Sequence, residues 1–352
     1  MARNDAHALL PRTNAEGMSR RLAVLASKKG ISSVFQRRLK AAFDSMDDDE
    51  RGVTETPIYR LWSSFNRGTQ DCMWRVLAEQ IDQDYPRIKA ASNDALEHPA
   101  VSSEPGPKVP DYQNRTNIHG QPGGYMLERE AGDLAAGILY EAGGNIYALG
   151  QGIGRKDSKG ERLIAYIRER FPDLKPGKIL EMGCSAGGQT VDYSRAFPDA
   201  EVSAIDLSPG MLNYARARTV MMGGQATFHQ QDAGATNFED QTFDLIISHN
   251  LLHEVEASHM QAIANESRRL LRPGGVCIHQ DVPIQTRRLD PFMRFISEWQ
   301  RDHNNEPFWM DFANADLPGL LEKAGFSRST ITEDYLTAID GPVPWYVVAA
   351  TR

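Results

Sequence analysis

One short run near the middle of the chain constrains the fold most. It spans residues 178–188 and reads Lys-Ile-Leu-Glu-Met-Gly-Cys-Ser-Ala-Gly-Gly. An apolar stretch of strand length leads into glycines and then into a helical pattern, which predicts a buried strand, a tight turn and a helix start. Glycine in such a turn lets the backbone approach a ligand closely. The pattern is typical of a βαβ unit in a parallel sheet.

Strand and helix patterns alternate from residue 158 onward. The last strand follows Gly341-Pro342 at hairpin-like spacing, which predicts an antiparallel edge strand. The fold class is therefore α/β, with a doubly wound, seven-stranded sheet whose last strand is antiparallel. Helices fill the gaps, most plainly at 209–219 and 257–271. We predict strands at Lys178–Met182, Glu201–Ile205, Ala226–Gln230, Phe243–Ser248, Gly275–Gln280, Thr330–Glu333 and Trp345–Ala349.

The N-terminal third has helical periodicity and no chemical motif. Apolar spacing predicts helices over 20–43 with an interruption near Gly30, from residue 56 to 65, over 71–85 with an end at Pro86, and over 126–142 with a stop at Gly143-Gly144. Several prolines between residues 91 and 115 argue against a helix or a central strand there. We predict three parts: residues 1–115, a mainly helical region with a proline-rich arm that covers the substrate or forms a dimer; 116–157, a connecting loop and helix; and 158–352, the sheet domain.

Acidic residues stand at the ends of successive predicted strands. Asp206 ends the second strand and suits a ribose diol, whereas Asp232 ends the third and suits an exocyclic amine. Both residues are expected in one crevice, because ligands of open α/β sheets bind at the carboxyl ends of strands. Such a crevice favours a cation over a pyrophosphate. A dinucleotide fingerprint would also need glycine at position 185, which is Ser185.

These motifs, in this order, resemble the class I S-adenosylmethionine-dependent methyltransferases, a Rossmann-like family. The resemblance covers residues 158–352 and implies S-adenosyl-L-methionine as the cofactor. It implies that the turn after the first strand holds the methionine portion, Asp206 the ribose, and Asp232 with Ala233 the adenine. A nicotinamide-dependent oxidoreductase is the alternative. The full set of predicted cofactor residues is Tyr147, Glu181, Gly183, Cys184, Ser185, Gly187, Asp206, Leu207, Met211, Asp232, Ala233 and His249.

The methyl acceptor is predicted to be a small molecule. Ser248-His249-Asn250-Leu251 stands where enzymes that methylate nucleic-acid or protein amines usually carry an Asn-Pro-Pro-Tyr-like motif, and the chain has no Pro-Cys pair. The net charge of −8 also disfavours nucleic acid as a partner.

His253 and Asp281 follow the fourth and fifth strands and look like the His/Asp pair of sugar O-methyltransferases, in which imidazole takes the hydroxyl proton and the carboxylate orients it. Because His occurs there without a catalytic duty too, a cofactor-binding protein without transfer activity stays open. Metal-assisted transfer would need clustered Asp and Asn after these strands, and only Asp281 is suitably placed, so we predict no metal.

Two segments are candidates for the substrate walls. One is the aromatic stretch 283–312, although aromatic residues at such near-helical spacing more often form an ordinary core. The other contains His119, Tyr125, Tyr140 and Tyr147. Residues 1–40 carry nine basic and two acidic side chains, which predicts a solvated helix face, with an RNA or membrane anchor as the alternative.

Cellular context and assembly are predicted from composition. Three scattered cysteines indicate reduced thiols, and neither a membrane span nor an apolar signal segment is apparent. We therefore predict a cytoplasmic protein without a nucleic-acid or membrane partner, and a possible homodimer through the N-terminal helices.

Overall fold

A seven-stranded sheet organises the second half of the chain. The structure is a computed structural model and describes residues 6–12, 14–47, 49–97, 109–113, 116–147, 159–336 and 345–352. The strands are β1 Lys178–Met182, β2 Glu201–Asp206, β3 Thr227–Gln230, β4 Phe243–His249, β5 Leu271–Asp281, β6 Thr332–Leu336 and β7 Trp345–Thr351. Their order is β3-β2-β1-β4-β5-β7-β6, and β7 runs antiparallel to both β5 and β6. The predicted fold class and the antiparallel last strand are confirmed, although β5 begins at Leu271 and β6 at Thr332. The prediction that the last strand lies at the edge is wrong, because β7 pairs on both sides and β6 is the edge strand.

Helices cover both faces of this sheet. The helices of the described residues are α1 Ala15–Leu25, α2 Ser32–Ser45, α3 Glu50–Glu55, α4 Pro57–Leu96, α5 Ala135–Tyr147, α6 Lys159–Arg170, α7 Thr190–Ala196, α8 Pro209–Met221, α9 Ala257–Leu270, α10 Pro291–His303, α11 Trp309–Asn314 and α12 Leu317–Lys323. In β1, Ile179 packs in a cluster with Leu163 of α6, whereas Leu180 packs on the other face with Ile263 of α9. Burial on both faces explains why the strands read as continuous apolar runs.

The N-terminal helices differ from their prediction at a proline. Two predicted helices form the single helix α4, which begins after its Thr56 cap and continues through Pro86 to Leu96. The helix does not end at Pro86, where the sequence predicts its end, and it also enters the region from residue 91 onward in which no helix is predicted. Ile88 and Ala95 are buried in the same cluster as Leu77, and this burial outweighs the backbone hydrogen bond that a proline removes. Upstream, α1 and α2 are joined by the wider helical turn Ala26–Ile31, so the predicted interruption near Gly30 is confirmed.

Helix α5 also departs from its predicted bounds. It begins at Ala135 rather than near residue 126, and it runs through Gly143 and Gly144 instead of stopping there. A Cβ atom at Gly143 would lie 2.7 Å from Cη2 of Trp74, so glycine permits close packing of α5 on α4. This glycine is therefore a packing residue and not a helix stop.

The aromatic residues of α10 are core residues. Phe292, Phe295 and Trp299 pack with Phe43 and Trp62 of the N-terminal helices. The Trp62 and Trp299 ring centroids are 4.7 Å apart, and Trp299 Nε1 donates a hydrogen bond to Ser63 Oγ at 2.8 Å. These three residues therefore belong to the core and do not form a substrate wall. Through them, α10 attaches the N-terminal helices to the sheet domain.

No helix among the described residues combines the length with the apolar character that crossing a bilayer requires.

A buried carboxylate joins α4 to the start of α5. Asp133 is fully buried and accepts hydrogen bonds from Tyr85 Oη at 2.6 Å, the Ala135 amide at 2.9 Å and the Arg129 amide at 2.8 Å. We expect Asp133→Asn to lower the free energy of unfolding by about 2–3 kcal/mol, because Arg129 then loses its buried partner and its half-exposed guanidinium is partly screened by solvent. Urea denaturation followed by circular dichroism measures this loss.

The control for Asp133→Asn is Asp82→Asn, which removes the exposed partner of the same arginine. It should change the stability by less than about 0.5 kcal/mol.

Burial alone would raise the pKa of Asp133, but hydrogen bonds from Arg129 and Tyr85 outweigh burial and hold this pKa well below its usual range. The stability that Asp133 contributes is thus present above about pH 4, the unfolded pKa, and is lost as the pH falls further. Equal stability of wild type and Asp133→Asn at pH 7 would contradict this role.

Candidate active site

A crevice opens at the carboxyl ends of β1 to β4. It encloses about 740 Å³ of empty space, which includes its open mouth. Side chains from the sheet, the connecting loops and α8 and α9 meet there. The lining residues are Tyr112, Gln113, Tyr125, Met126, Tyr140, Gly183, Ser185, Asp206, Leu207, Met211, Gln231, Asp232, Ala233, His249, Asn250, Leu251, Glu254, Val255, His259 and Ile263.

The glycine turn after β1 forms the floor of the crevice. Gly183 and Gly187 have φ angles of 68° and 70°, and Ser185 adopts the left-handed region as well, at 49°. A Cβ atom at Gly183 would lie 2.8 Å from Leu251 Cδ1 and would require the leucine side chain to move, and the positive φ angle also favours glycine there. Gly183 and Ser185 line the crevice, whereas Cys184 is buried in the core and Gly187 packs against α8.

Asp206 is fixed in orientation by backbone amides. Its Oδ2 accepts a hydrogen bond from the Ser185 amide at 2.9 Å, and its Oδ1 accepts one from the Ser208 amide at 2.9 Å. Burial raises the pKa of Asp206, and the amide hydrogen bonds oppose that rise. Each oxygen keeps lone pairs for further donors, and the carboxylate lines the crevice beside Leu207 and Met211.

Asp232 lines the crevice at the end of β3, next to Ala233. Its Oδ1 accepts a hydrogen bond from the Gly234 amide at 2.8 Å and lies 2.7 Å from Nε2 of His259, a residue the sequence motifs do not identify. Burial raises the pKa of Asp232, but the bonds from His259 and Gly234 outweigh burial and lower it. Oδ1 is thus engaged, while Oδ2 is the oxygen left to accept from a ligand.

The other predicted cofactor residues occupy different positions. Glu181 is buried, accepts a hydrogen bond from Thr190 Oγ1 and is not among the lining residues, so the prediction that its carboxylate shares the crevice with Asp206 and Asp232 is wrong. Burial, with the charges of Asp192 and Asp206, raises its pKa to about 8. His249 lines the crevice, and the Tyr147 side chain lies outside the described residues.

His253 and Asp281 are in contact, beneath the crevice surface. Asp281 is fully buried, accepts hydrogen bonds from the Leu252 amide at 2.9 Å and the Val282 amide at 2.7 Å, and pairs with His253 Nδ1. The His253 ring is 4% exposed and stands edge-on to Trp309, with the ring centroids 5.4 Å apart. Asp281 therefore sets the orientation of the imidazole and directs Nε2 away from itself.

Glu254, which the motifs do not identify, connects this pair to the crevice. Its Oε1 accepts a hydrogen bond from Tyr125 Oη at 2.9 Å and lies 3.3 Å from His253 Nε2 and 3.5 Å from His119 Nε2. On the far side of the His119 ring, Nδ1 pairs with the buried Glu306. Only the position of Glu254 directly after His253 could have indicated it in the sequence.

The carboxylates control the charge of both histidines. Burial lowers the pKa of His253, but the charges of Asp281 and Glu254 outweigh burial and raise it well above its usual value. The same balance, with Glu306 and Glu254, raises the pKa of His119 to about 10. Near neutral pH, both nitrogens of His253 are therefore engaged and the ring presents no free lone pair.

The crevice also contains polar atoms that fit a polar ligand. Tyr112 Oη and Asn250 Oδ1 are buried and have no hydrogen-bond partner among the residues that the structure describes. Together with Asp206 and Asp232, they offer a hydroxyl, an amide oxygen and two carboxylates. This set matches the ribose, the amino group and the cationic centre of S-adenosyl-L-methionine.

The sequence is similar to known methyltransferases over this same region. Residues 179–275 match the family profile described as "Methyltransferase domain". A probable phthiotriol/phenolphthiotriol dimycocerosates methyltransferase 2 of Mycobacterium ulcerans is 31% identical over 132 residues, which are 36% of this chain and 45% of that protein. An uncharacterized methyltransferase of Synechocystis sp. is 29% identical over 185 residues, which are 52% of this chain and 82% of that protein.

A third relative is a fatty-acid O-methyltransferase of Mycolicibacterium smegmatis. It is 31% identical over 142 residues, which are 39% of this chain and 46% of that protein. The chain thus spans less than half the length of two of these three relatives. The profile match extends from Ile179 in β1 to Gly275 in β5, and the sheet has the predicted antiparallel last strand. These comparisons support a methyltransferase of the class I S-adenosylmethionine-dependent type in the sheet domain, with S-adenosyl-L-methionine as its cofactor.

Proposed function

We propose that this protein transfers the methyl group of S-adenosyl-L-methionine to a hydroxyl group of a small organic molecule, such as a natural product. The observation that carries the proposal is the composition of the crevice. Asp206 and Asp232 lie at two strand ends, and Tyr125, Tyr140 and Glu254 form another part of the lining. A crevice with a cofactor side and an aromatic, acidic acceptor side suits methyl transfer between two small molecules.

The chain's own residues bind and orient the reactants in this proposal. Asp206 accepts hydrogen bonds from the ribose hydroxyls, and Asp232 Oδ2 accepts one from the adenine amino group. When bound, the cofactor supplies an electrophilic methyl carbon: an acceptor oxygen lone pair forms the new O–C bond, the C–S electron pair passes to sulfur, and the hydroxyl proton is released. Because the displacement is in line, alignment is the main contribution of the protein.

The hydroxyl proton needs an acceptor. His253 with Asp281 stays the predicted base, and since Asp281 holds Nδ1, Nε2 is the atom that would take the proton. Glu254 lies 3.3 Å from Nε2. The base role therefore requires that Glu254 move away from the His253 ring when the acceptor binds, and that the ring first give up its Nε2 proton to solvent.

An oxygen acceptor agrees with the name of one relative, the fatty-acid O-methyltransferase. Tyr112, Tyr125 and Tyr140 supply aromatic surface to the crevice, which suits a flat or lipophilic acceptor. The acidic balance of the chain disfavours a polyanionic acceptor.

The test of this function is calorimetry with S-adenosylhomocysteine and, separately, with NAD. We expect one molecule of S-adenosylhomocysteine per chain and no NAD binding. Preferential NAD binding would instead identify an oxidoreductase. Labelled S-adenosyl-L-methionine incubated with extracts of the native host should yield a labelled product by mass spectrometry, and cofactor binding without any methylated product would indicate a protein that binds but does not transfer.

We further propose that the protein acts in the cytoplasm as a homodimer through its N-terminal helices. Its three cysteines are free thiols, as in a reducing compartment. Leu22, Ile31 and Val34 on the first helices are 57%, 45% and 40% exposed, and a second copy would cover them. A sedimentation-equilibrium mass of one chain would contradict the dimer.

A further inference from the structure

We propose that His119, His253 and Glu254 bind a divalent metal ion, of the zinc type, at the acceptor side of the crevice. The candidate ligand atoms of these three residues all lie within 4.8 Å of one another. The binding itself is independent of the proposed function, whereas the role of the ion in activating the acceptor hydroxyl rests on it. The site is called the His119 cluster below.

The distances within the His119 cluster are those of a metal site. Glu254 Oε1 lies 3.3 Å from His253 Nε2 and 3.5 Å from His119 Nε2. Around a tetrahedral zinc ion with bonds of 2.0–2.1 Å, neighbouring ligand atoms are about 3.3–3.4 Å apart. Two edges of such a tetrahedron are therefore present, and small side-chain rotations would complete it.

Each histidine is oriented by a second carboxylate. Nδ1 of His253 pairs with Asp281, and Nδ1 of His119 pairs with Glu306. Asp281 and Glu306 are 0% and 1% exposed, so both are fixed within the protein. Metal-binding histidines almost always donate their other ring N–H to a carboxylate or a carbonyl, which fixes the tautomer and the ring orientation. His253 does so through a hydrogen bond to Asp281, whereas His119 Nδ1 is in ion-pair contact with Glu306. Two carboxylate–histidine pairs thus present their Nε2 atoms to one point.

Buried oxygens in the cluster lack partners. Glu254 Oε2 and Glu306 Oε2 are buried and accept no hydrogen bond from any residue that the structure describes. Leaving a buried carboxylate oxygen unsatisfied costs free energy. Three carboxylates also surround two imidazoles, and a dication would balance most of that negative charge without protonating either ring. A bound metal ion would offset that charge, and it would also satisfy Glu254 Oε2 if the carboxylate bound the ion through both of its oxygens.

The N-terminal helices hold one ligand of the His119 cluster in place. His119 lies in a loop with a φ angle of 57°, and its carbonyl accepts hydrogen bonds from Gln70 Nε2 at 2.9 Å and Trp74 Nε1 at 2.7 Å. Both donors belong to α4. The N-terminal region therefore supplies the support for a side chain in the site, in addition to covering the sheet domain.

The ligand set selects the kind of ion. Two imidazole nitrogens and one carboxylate favour Zn²⁺, Co²⁺ or Fe²⁺, whereas Mg²⁺ and Ca²⁺ prefer oxygen ligands throughout. Because Glu254 and Tyr125 line the crevice, the ion would border the acceptor. It would lower the pKa of a bound hydroxyl, as zinc does for water, so that the proton leaves to solvent before the oxygen lone pair attacks the methyl carbon.

Metal binding is measured on the untagged full chain after removal of metal with a chelator. Titration with Zn²⁺ by calorimetry, and with Co²⁺ by visible absorption, should give one ion per chain. His119→Gln and Glu254→Gln should each weaken Zn²⁺ binding at least 100-fold, and Asp281→Asn should weaken it by about 10–100-fold. The control is His303→Gln, which removes a histidine near Tyr59, outside the cluster, and should leave Zn²⁺ binding unchanged.

Circular dichroism and S-adenosylhomocysteine binding establish that each variant is folded. If the wild-type chain binds S-adenosylhomocysteine but no Zn²⁺ or Co²⁺, the metal site is refuted and the proposed function stands. If Zn²⁺ binds equally well to the wild type, His119→Gln and Glu254→Gln, binding is adventitious and the proposal is again refuted. If Zn²⁺ binds through the cluster but no cofactor binds, the metal site stands and the proposed function fails.

Discussion

Replacing Asp206 with alanine should weaken S-adenosylhomocysteine binding by roughly 10²–10⁴-fold. The substitution removes a fixed carboxylate that can accept two hydrogen bonds from the ribose, and each hydrogen bond to a charged group is worth about 1.5–3 kcal/mol. The Ser185 and Ser208 amides hold both carboxylate oxygens in place, so the Asp206 side chain is already ordered before the ligand binds. Isothermal titration calorimetry measures the change in Kd.

The matched control for Asp206→Ala is Asp240→Ala. Asp240 has a 70% exposed side chain, pairs with Arg269 and does not line the crevice. Its replacement should leave the Kd for S-adenosylhomocysteine unchanged. If Asp206→Ala binds S-adenosylhomocysteine within threefold of the wild type while retaining its circular dichroism spectrum, the ribose is bound elsewhere and the assignment of the crevice is wrong.

The sheet could be predicted from the sequence because its strands carry their own signal. Strands β1, β4 and β5 are buried on both faces, so each appears as an apolar run with turn residues beside it. The carboxylates at the strand ends follow from the same topology, since parallel neighbours end at one edge. Asp206 and Asp232 therefore both lie in the crevice, as placement at strand ends requires.

The helical region resisted prediction because tertiary contacts override local signals there. Pro86 disfavours a helix locally, but the burial of Ile88 and Ala95 beyond it keeps α4 continuous. Gly143 looks like a helix stop, but it is a contact point for the Trp74 ring. In both cases the contact that determines the structure is with residues far away in the chain, such as Leu134 for the helix after Pro86 and Trp74 for Gly143. Apolar periodicity within a short window cannot reveal such a contact.

The acceptor side of the site was missed in part for the same reason. His119, Glu254 and Glu306 come from a loop after the N-terminal helices, a turn after β4 and the segment after α10. Their positions in the sequence show no regular spacing. The sequence prediction considered only Asp and Asn after the fourth and fifth strands as metal ligands, and none of these three residues is of that kind. Their convergence on one point depends on α4 holding the His119 loop against the sheet domain.

His253→Gln should lower kcat by roughly 10²–10⁴-fold, the range that general-base catalysis contributes, and leave the Kd for S-adenosylhomocysteine within about threefold. His253 lies beneath the crevice and is not among its lining residues, so the cofactor does not depend on it. Turnover is measured with the acceptor found by labelled methyl transfer into host extracts. His303→Gln is the control and should keep the wild-type rate.

A rate unchanged in His253→Gln would remove this residue from the mechanism altogether. A large loss is expected whether His253 takes the proton itself or binds an ion that acidifies the hydroxyl, and chelation of the wild-type enzyme separates these two roles. If His253 is the base, chelator-treated enzyme keeps its rate, because the imidazole and Asp281 need no ion. If His253 is a metal ligand, chelation lowers the wild-type rate as much as His253→Gln does. Added Zn²⁺ then restores the rate of the wild type but not that of the variant, because only the wild type retains both Nε2 atoms that face Glu254.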